Sequence, residues 1–198
     1  MLTNDWIFRR TTFVFEDGIL VKSVTQILQL IFPDKYKGID KKTLSKKAEF
    51  GTEGHAIIEH LKVDNLENAK QEVLKIKNKD LQICIREYLR LVKEYNIVPL
   101  EQEQIVSYKF LYCGTLDITG LVNGFNSLLD IKFTAELDKE YLSWQLGMYQ
   151  LAKGIKYDKF YCIWLPKKEL GQLVEIVPKT KEEILRKLEE LGIWIVLN

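Results

Sequence analysis

The 198-residue chain is 46% hydrophobic and 29% charged, the balance of a soluble globular protein with a sizeable core, and it reads as a single domain over residues 1–198. Lys and Arg number 29 against 28 Asp and Glu, so a net charge of +1 excludes a globally basic nucleic-acid binder and leaves room only for a local basic surface. Three cysteines, Cys84, Cys113 and Cys162, are too few for a four-thiolate iron–sulfur cluster and read as buried reduced thiols of a cytoplasmic protein.

No signal-peptide pattern opens the chain, and no apolar run approaches the roughly 18 residues of a membrane span. Residues 11–16 and 19–21 read as two short strands around an Asp17-Gly18 turn. Ser23 is placed to cap a helix with Val24, Ile27, Leu28 and Ile31 on one side. Pro33-Asp34 and Gly38 end it and begin a Lys-rich connector over 35–47, read as a solvated loop and helix start or, more sharply, as a phosphate contact. A helix over about 44–61 carries Gly51, His55 and Glu59 at i, i+4 and i+8, one stripe on which small Gly51 would let another element come close. A histidine on a helix is usually structural, yet neutral imidazole also ligates metals in mixed oxygen and nitrogen sites. Two helices then fill 66–95, divided at Asn78-Lys79-Asp80, and Pro99 marks the change to strand. Residues 105–110 read as a strand, with Glu101 and Glu103 before it solvated.

Residues 113–132 hold the densest information. Two apolar strands flank Asn123-Gly124, a dipeptide suited to a type I′ turn because both its residues need φ > 0. A two-residue loop places Asp117 opposite Asp130; a loop two residues longer places it opposite Lys132. Either register puts Asp117, Asp130 and Lys132 on one face, since strand side chains alternate. Two carboxylates and an ammonium make either a divalent-metal site or a plain surface salt bridge.

A helix over about 139–153 follows, with Tyr141, Gln145 and Tyr149 at i, i+4 and i+8, placed over the carboxyl end of the second strand. Residues 160–165 read as a buried strand, 171–177 as an edge strand and 181–191 as a charged helix. The apolar tail, 193–197, should pack on the domain or on a second subunit.

In this order the pieces resemble the PD-(D/E)XK nuclease superfamily, in its RecB-like and phage exonuclease branch. The matching pieces are Gly51-x-x-x-His55-x-x-x-Glu59, Gly114-Thr-Leu-Asp117, Asp130-Ile-Lys132 and Gln145-x-x-x-Tyr149, with Ser23-Val-Thr-Gln-Ile-Leu28 similar to the branch's first helix. The resemblance implies an α/β, restriction-endonuclease-like fold: a central mixed β-sheet flanked by helices. It implies that His55, Asp117, Asp130 and the Ile131 carbonyl hold one or two Mg²⁺ or Mn²⁺ ions. Lys132 would position or deprotonate the attacking water, and Gln145 and Tyr149 would border the site, Gln145 orienting the lysine or touching DNA. Glu59 matches a less constant acidic position.

The implied function is a free-standing metal-dependent deoxyribonuclease, an exonuclease on duplex ends in phage-type recombination or repair, with DNA as partner. A single-strand annealing protein and a homo-oligomer are further partners left open. The competing readings are an endonuclease of the same superfamily and a binding module that keeps the fold without the chemistry. Hard cations want carboxylate oxygens, and a divalent ion lowers the pKa of its water and offsets charge on a pentavalent phosphorus.

Overall fold

The computed structural model describes residues 7–9, 12–14 and 20–193. Among these, eight strands form one sheet and six helices flank it: β1 (Ile7–Arg9), β2 (Thr12–Val14), β3 (Leu20–Ser23), α1 (Val24–Ile31), α2 (Lys41–His60), α3 (Leu66–Leu74), α4 (Lys79–Glu94), β4 (Val98–Tyr108), β5 (Tyr112–Val122), β6 (Phe125–Lys132), α5 (Lys139–Lys153), β7 (Lys159–Trp164), β8 (Gln172–Glu175) and α6 (Lys181–Glu190). The sheet is mixed as expected: β3 with β5 and β6 with β7 are parallel, and the other pairs antiparallel. The Asp17-Gly18 turn and residues 194–197 of the tail lie outside the described residues.

Local chemistry accounts for most boundaries. Ser23 caps α1 in a reciprocal box with Gln26. Val24, Ile27 and Leu28 are fully buried, each burial contributing about 1.5–3 kcal/mol. Asp40 caps α2 through Thr43, so the helix starts at Lys41 rather than at about 44 and takes in Lys41 and Lys42, still exposed, along with Lys46 and Lys47. Asn78 caps α4 and makes the division after α3. The strand β4 begins at Val98, well before residue 105, and contains Pro99. Proline is tolerated there because β4 pairs with β5 alone.

Packing places helices in two layers. One core cluster joins α1, α5 and α6 to Leu116, Leu128 and Cys162 of the sheet; the other joins α2, α3 and α4 to Ile118, Leu129, Ile131 and Ile163. The three cysteines are buried and free.

The hairpin has the shorter register. Val122 pairs with Phe125 and Ile118 with Leu129, and the turn residues Asn123 and Gly124 have φ of +48° and +85°. Asp117 therefore stands opposite Asp130, one step beyond the last β5–β6 pair. One edge of β5 is taken by β4 over almost its whole length. The other edge is shared: β6 pairs with residues 118–122 and β3 with Tyr112 and Cys113. Residues 114–117 face a split where no strand pairs with them.

Face alternation also breaks at this point. Leu116 and Ile118, two residues apart, pack into opposite core clusters, and Glu103, which faces Asp117 across β4, has a left-handed φ of +47°. The expectation that alternation alone gathers the charged groups on one face is thus corrected: the register holds, and a local irregularity turns Asp117 toward the split.

Helix α2 is docked by Gly54, not Gly51. A Cβ on Gly54 would overlap the Phe133 ring, whereas one on Gly51 would meet nothing within 4 Å. Phe133 follows Lys132, so its contact sets the distance between α2 and the end of β6. Gly54→Ala is expected to destabilise the fold by about 1–3 kcal/mol through overpacking, read from the urea midpoint. An unchanged midpoint would place the docking elsewhere.

Candidate metal centre

The split in the sheet gathers side chains from four elements. On β6, Asp130 is 1% exposed; Lys132 donates to its Oδ1 at 2.9 Å and lies 2.7 Å from Oδ2, which accepts no hydrogen bond. This is a buried pair rather than a surface salt bridge, so desolvation opposes its charge. Burial pushes the Asp130 carboxyl up to about 6, with Asp117 adding to the rise and Lys132 opposing it. Burial opposes the charge on Lys132 too, but the carboxylates of Asp130 and Asp117 outweigh it and hold the ammonium above its ordinary range.

Asp117 on β5 accepts a hydrogen bond from the Ile131 backbone N–H at Oδ2, 2.6 Å. A side chain thereby takes over where the β5–β6 ladder stops. In an extended strand the N–H and C=O of one residue leave on the same edge, which directs the Ile131 carbonyl to the edge facing Asp117.

His55 comes from α2, on the opposite side of the sheet from α5. Its Nδ1 is 3.7 Å from Asp117 Oδ1 and 3.5 Å from Glu103 Oε1, and its ring meets Phe133 edge-on with centroids 5.8 Å apart. Burial alone would depress the imidazole; Asp117 and the hydrogen bond to Glu103 outweigh it and push it up to about 9. Without a cation the two carboxylates favour the imidazolium form of His55, and a metal bound there would take the place of that proton.

Glu103 is the residue that sequence reasoning missed. Its Oε1, a carboxylate oxygen of Asp117 and a ring nitrogen of His55 lie within 4.8 Å of one another. The sequence pattern starts the strand at residue 105, which leaves Glu103 and Glu101 before it as solvated groups. Extending the strand back over Pro99 would have placed Glu101 and Glu103 in β4. Glu101 instead accepts from Thr119 at 3.0 Å and Lys153 at 2.7 Å, away from His55.

Gln145 and Tyr149 sit on the buried stretch of α5. The Gln145 amide donates to the Tyr149 hydroxyl at 3.3 Å, and its Oε1 is buried without a partner. Among the described residues Gln145 makes no hydrogen bond to Lys132. Tyr149 packs against Gly114, where a Cβ would come within 2.7 Å of the ring, and the charges of Asp117, Asp130 and Lys132 act on its hydroxyl. Glu59 is exposed, 3.9 Å from His60 Nδ1, and lines the groove beside His55 without entering the carboxylate cluster.

The donor set suits a hard or borderline divalent cation. The imidazole of His55 and the carboxylates of Glu103 and Asp117, from two strands, lie close enough to share an ion, and with the nearby Asp130 carboxylate, outside that group, they fit Mg²⁺ or Mn²⁺ better than a thiolate-seeking metal.

No family model matches the chain, and no curated protein matches it. Among solved structures it is similar to the crystal structure of SSO0001, with 12% identity and a TM-score of 0.40 over 96% of this chain and 80% of that one, a likeness too distant to carry an argument. No described helix is long and apolar enough to cross a membrane.

The raised His55 value fixes a pH dependence for the protein in chelator. A histidine whose folded pKa lies above its unfolded value stabilises fully below about 6.5 and stops doing so as pH rises through about 9. Wild type minus His55→Gln should show a stability difference on the order of 2 kcal/mol at pH 6 that fades by pH 10, measured by urea unfolding. A difference that does not change with pH would remove the imidazolium from the site.

Proposed function

We propose that the protein is a metal-dependent deoxyribonuclease of PD-(D/E)XK type with a restriction-endonuclease-like fold, acting as an exonuclease on the ends of duplex DNA. The observation that supports it most is the convergence of His55 from α2, Asp117 from β5 and the Asp130–Lys132 pair from β6 at the stretch of β5 whose second edge, between β3 and β6, has no strand partner among the described residues. A salt bridge between neighbouring charges needs neither the histidine helix nor the split.

His55, Asp117, Asp130 and the Ile131 carbonyl would hold Mg²⁺ or Mn²⁺. The cation supplies Lewis-acid charge at the scissile phosphate and lowers the pKa of the attacking water. Asp117, fixed by the Ile131 N–H, presents its other oxygen without rotating. Lys132, whose ammonium form the carboxylates of Asp130 and Asp117 favour, would orient the water and stabilise charge developing on the phosphate. Gln145 and Tyr149 close the inner wall from α5 and keep that side dry. The mixed sheet supports the fold assignment, and a cation site beside an ammonium is suited to a phosphodiester, for which DNA is the substrate proposed.

The purified protein is expected to degrade a labelled linear duplex to mononucleotides with Mg²⁺ or Mn²⁺, to stop in EDTA, and to spare a closed circle. Asp130→Asn and Lys132→Ala should each lower the rate at least about a hundredfold while retaining the wild-type circular dichroism spectrum. Near-normal cleavage by either variant sinks the site assignment. DNA binding without cleavage under any divalent metal favours a non-catalytic binding module, and nicking of the circle an endonuclease.

A further inference from the structure

The groove beside the site is walled by α2 at Gly51, Thr52, His55, Ala56 and Glu59 and closed by Glu103, with a volume of about 480 Å³. Gly51 lies inside the helix, where glycine costs about 0.5–1 kcal/mol relative to alanine. Gly54 repays that cost by admitting Phe133; at Gly51 nothing beyond its own turn of helix lies within 4 Å of where a Cβ would be. That open space leaves room for a molecule outside the chain to approach the helix backbone. Helical side chains lean toward the N-terminus, so His55 leans over the turn that Gly51 leaves bare.

Charge indicates what passes there. Lys47, Gly51 and His55 are at i, i+4 and i+8, about 6 Å apart along the axis at each step. Lys47 is exposed, and no carboxylate among the described residues pairs with it or with Lys41, Lys42 and Lys46. Lys35 and Lys37, just before the helix, are by contrast held by Asp138 and Asp34. Glu49 and Glu53 share the neighbouring face with Lys42 and Lys46, so Lys47 is the ammonium that the stripe itself offers.

We propose that this groove holds the sugar–phosphate backbone of the DNA strand being cut, which crosses α2 in close contact at Gly51, with Lys47 on a phosphate next along from the reacting one. The inference rests on the nuclease reading and adds to it the path of the substrate. Gly51 is a positioning residue: any Cβ there lifts the strand away from His55 and Asp117.

The test is fluorescence anisotropy with a fluorescein-labelled duplex oligonucleotide in Ca²⁺, alongside urea unfolding and steady-state cleavage in Mg²⁺. Gly51→Ala should weaken binding about tenfold, the effect of one methylene in a close contact, and should both raise KM and lower kcat, because the strand is lifted from the metal-holding residues. Its unfolding midpoint should equal or exceed that of wild type, since alanine is the better helix former. Lys47→Ala should weaken binding and reduce the slope of log Kd on log salt by about one, while Lys181→Ala, on the helix α6 across the sheet, should change neither. Wild-type affinity in a stable Gly51→Ala, or a lowered midpoint that marks a packing role, overturns the proposal and leaves the nuclease reading standing. Weakened binding by Gly51→Ala in a protein that binds but never cuts DNA keeps the strand path and overturns the nuclease. A wild type that neither binds nor cuts DNA overturns both.

Discussion

Everything at the candidate centre depends on how the second edge of β5 is divided. β6 pairs with the strand's C-terminal half, β3 with its first residues, and the stretch between them must satisfy its polar groups in other ways. The Ile131 N–H finds the Asp117 carboxylate there instead of a backbone carbonyl. Facing it, Glu103 takes a left-handed conformation that costs a non-glycine residue about 1–3 kcal/mol. This irregularity is what allows groups from both layers, His55 on one side and the Asp130–Lys132 pair on the other, to meet across a sheet that would otherwise separate them.

The charge balance of the cluster follows from the same geometry. Three carboxylates, Asp117, Asp130 and Glu103, share two cationic partners, His55 and Lys132, in a cluster that is closed to water at Asp130 and open to the groove at His55 and Glu103. A cluster left with excess negative charge at low dielectric favours whatever neutralises it. His55 answers that demand by taking up a proton well above its ordinary range, and Asp130 by holding its own more tightly. Both responses are those of a site organised around positive charge.

Much of this was legible in the sequence because local rules decide it. Asn123-Gly124 determined the register of the hairpin, and Ser23 and Asn78 marked helix starts through their caps. The stripe through His55 followed from the helical period of 3.6. The rest depended on neighbours that a one-dimensional pattern does not contain. Glu103 was hidden because Pro99 suggests a boundary, and only the one-sided pairing of β4 shows that it is none. Gly51 and Gly54 are equivalent as letters; the Phe133 ring, about eighty positions later, tells them apart. The helical state of Lys41 and Lys42 depended on Asp40, a cap overlooked among so many lysines. The break in alternation at Asp117 has no sequence signature at all, since Thr-Leu-Asp-Ile-Thr reads as a regular strand.

The seating of α2 has a thermodynamic consequence. Of its twenty residues only Phe50, Gly54 and Ile58 are buried, so the helix is held by a narrow seam against Phe133 and α4. A helix so lightly anchored opens at a free-energy cost below that of global unfolding. Any cation shared between His55 and the strand carboxylates bridges that seam, and by linkage its binding free energy adds to the cost of opening. Backbone amides of α2 would then exchange with solvent more slowly as the cation concentration rises, from a lower starting protection than those of β5 and β6, making the helix itself a gauge of occupancy.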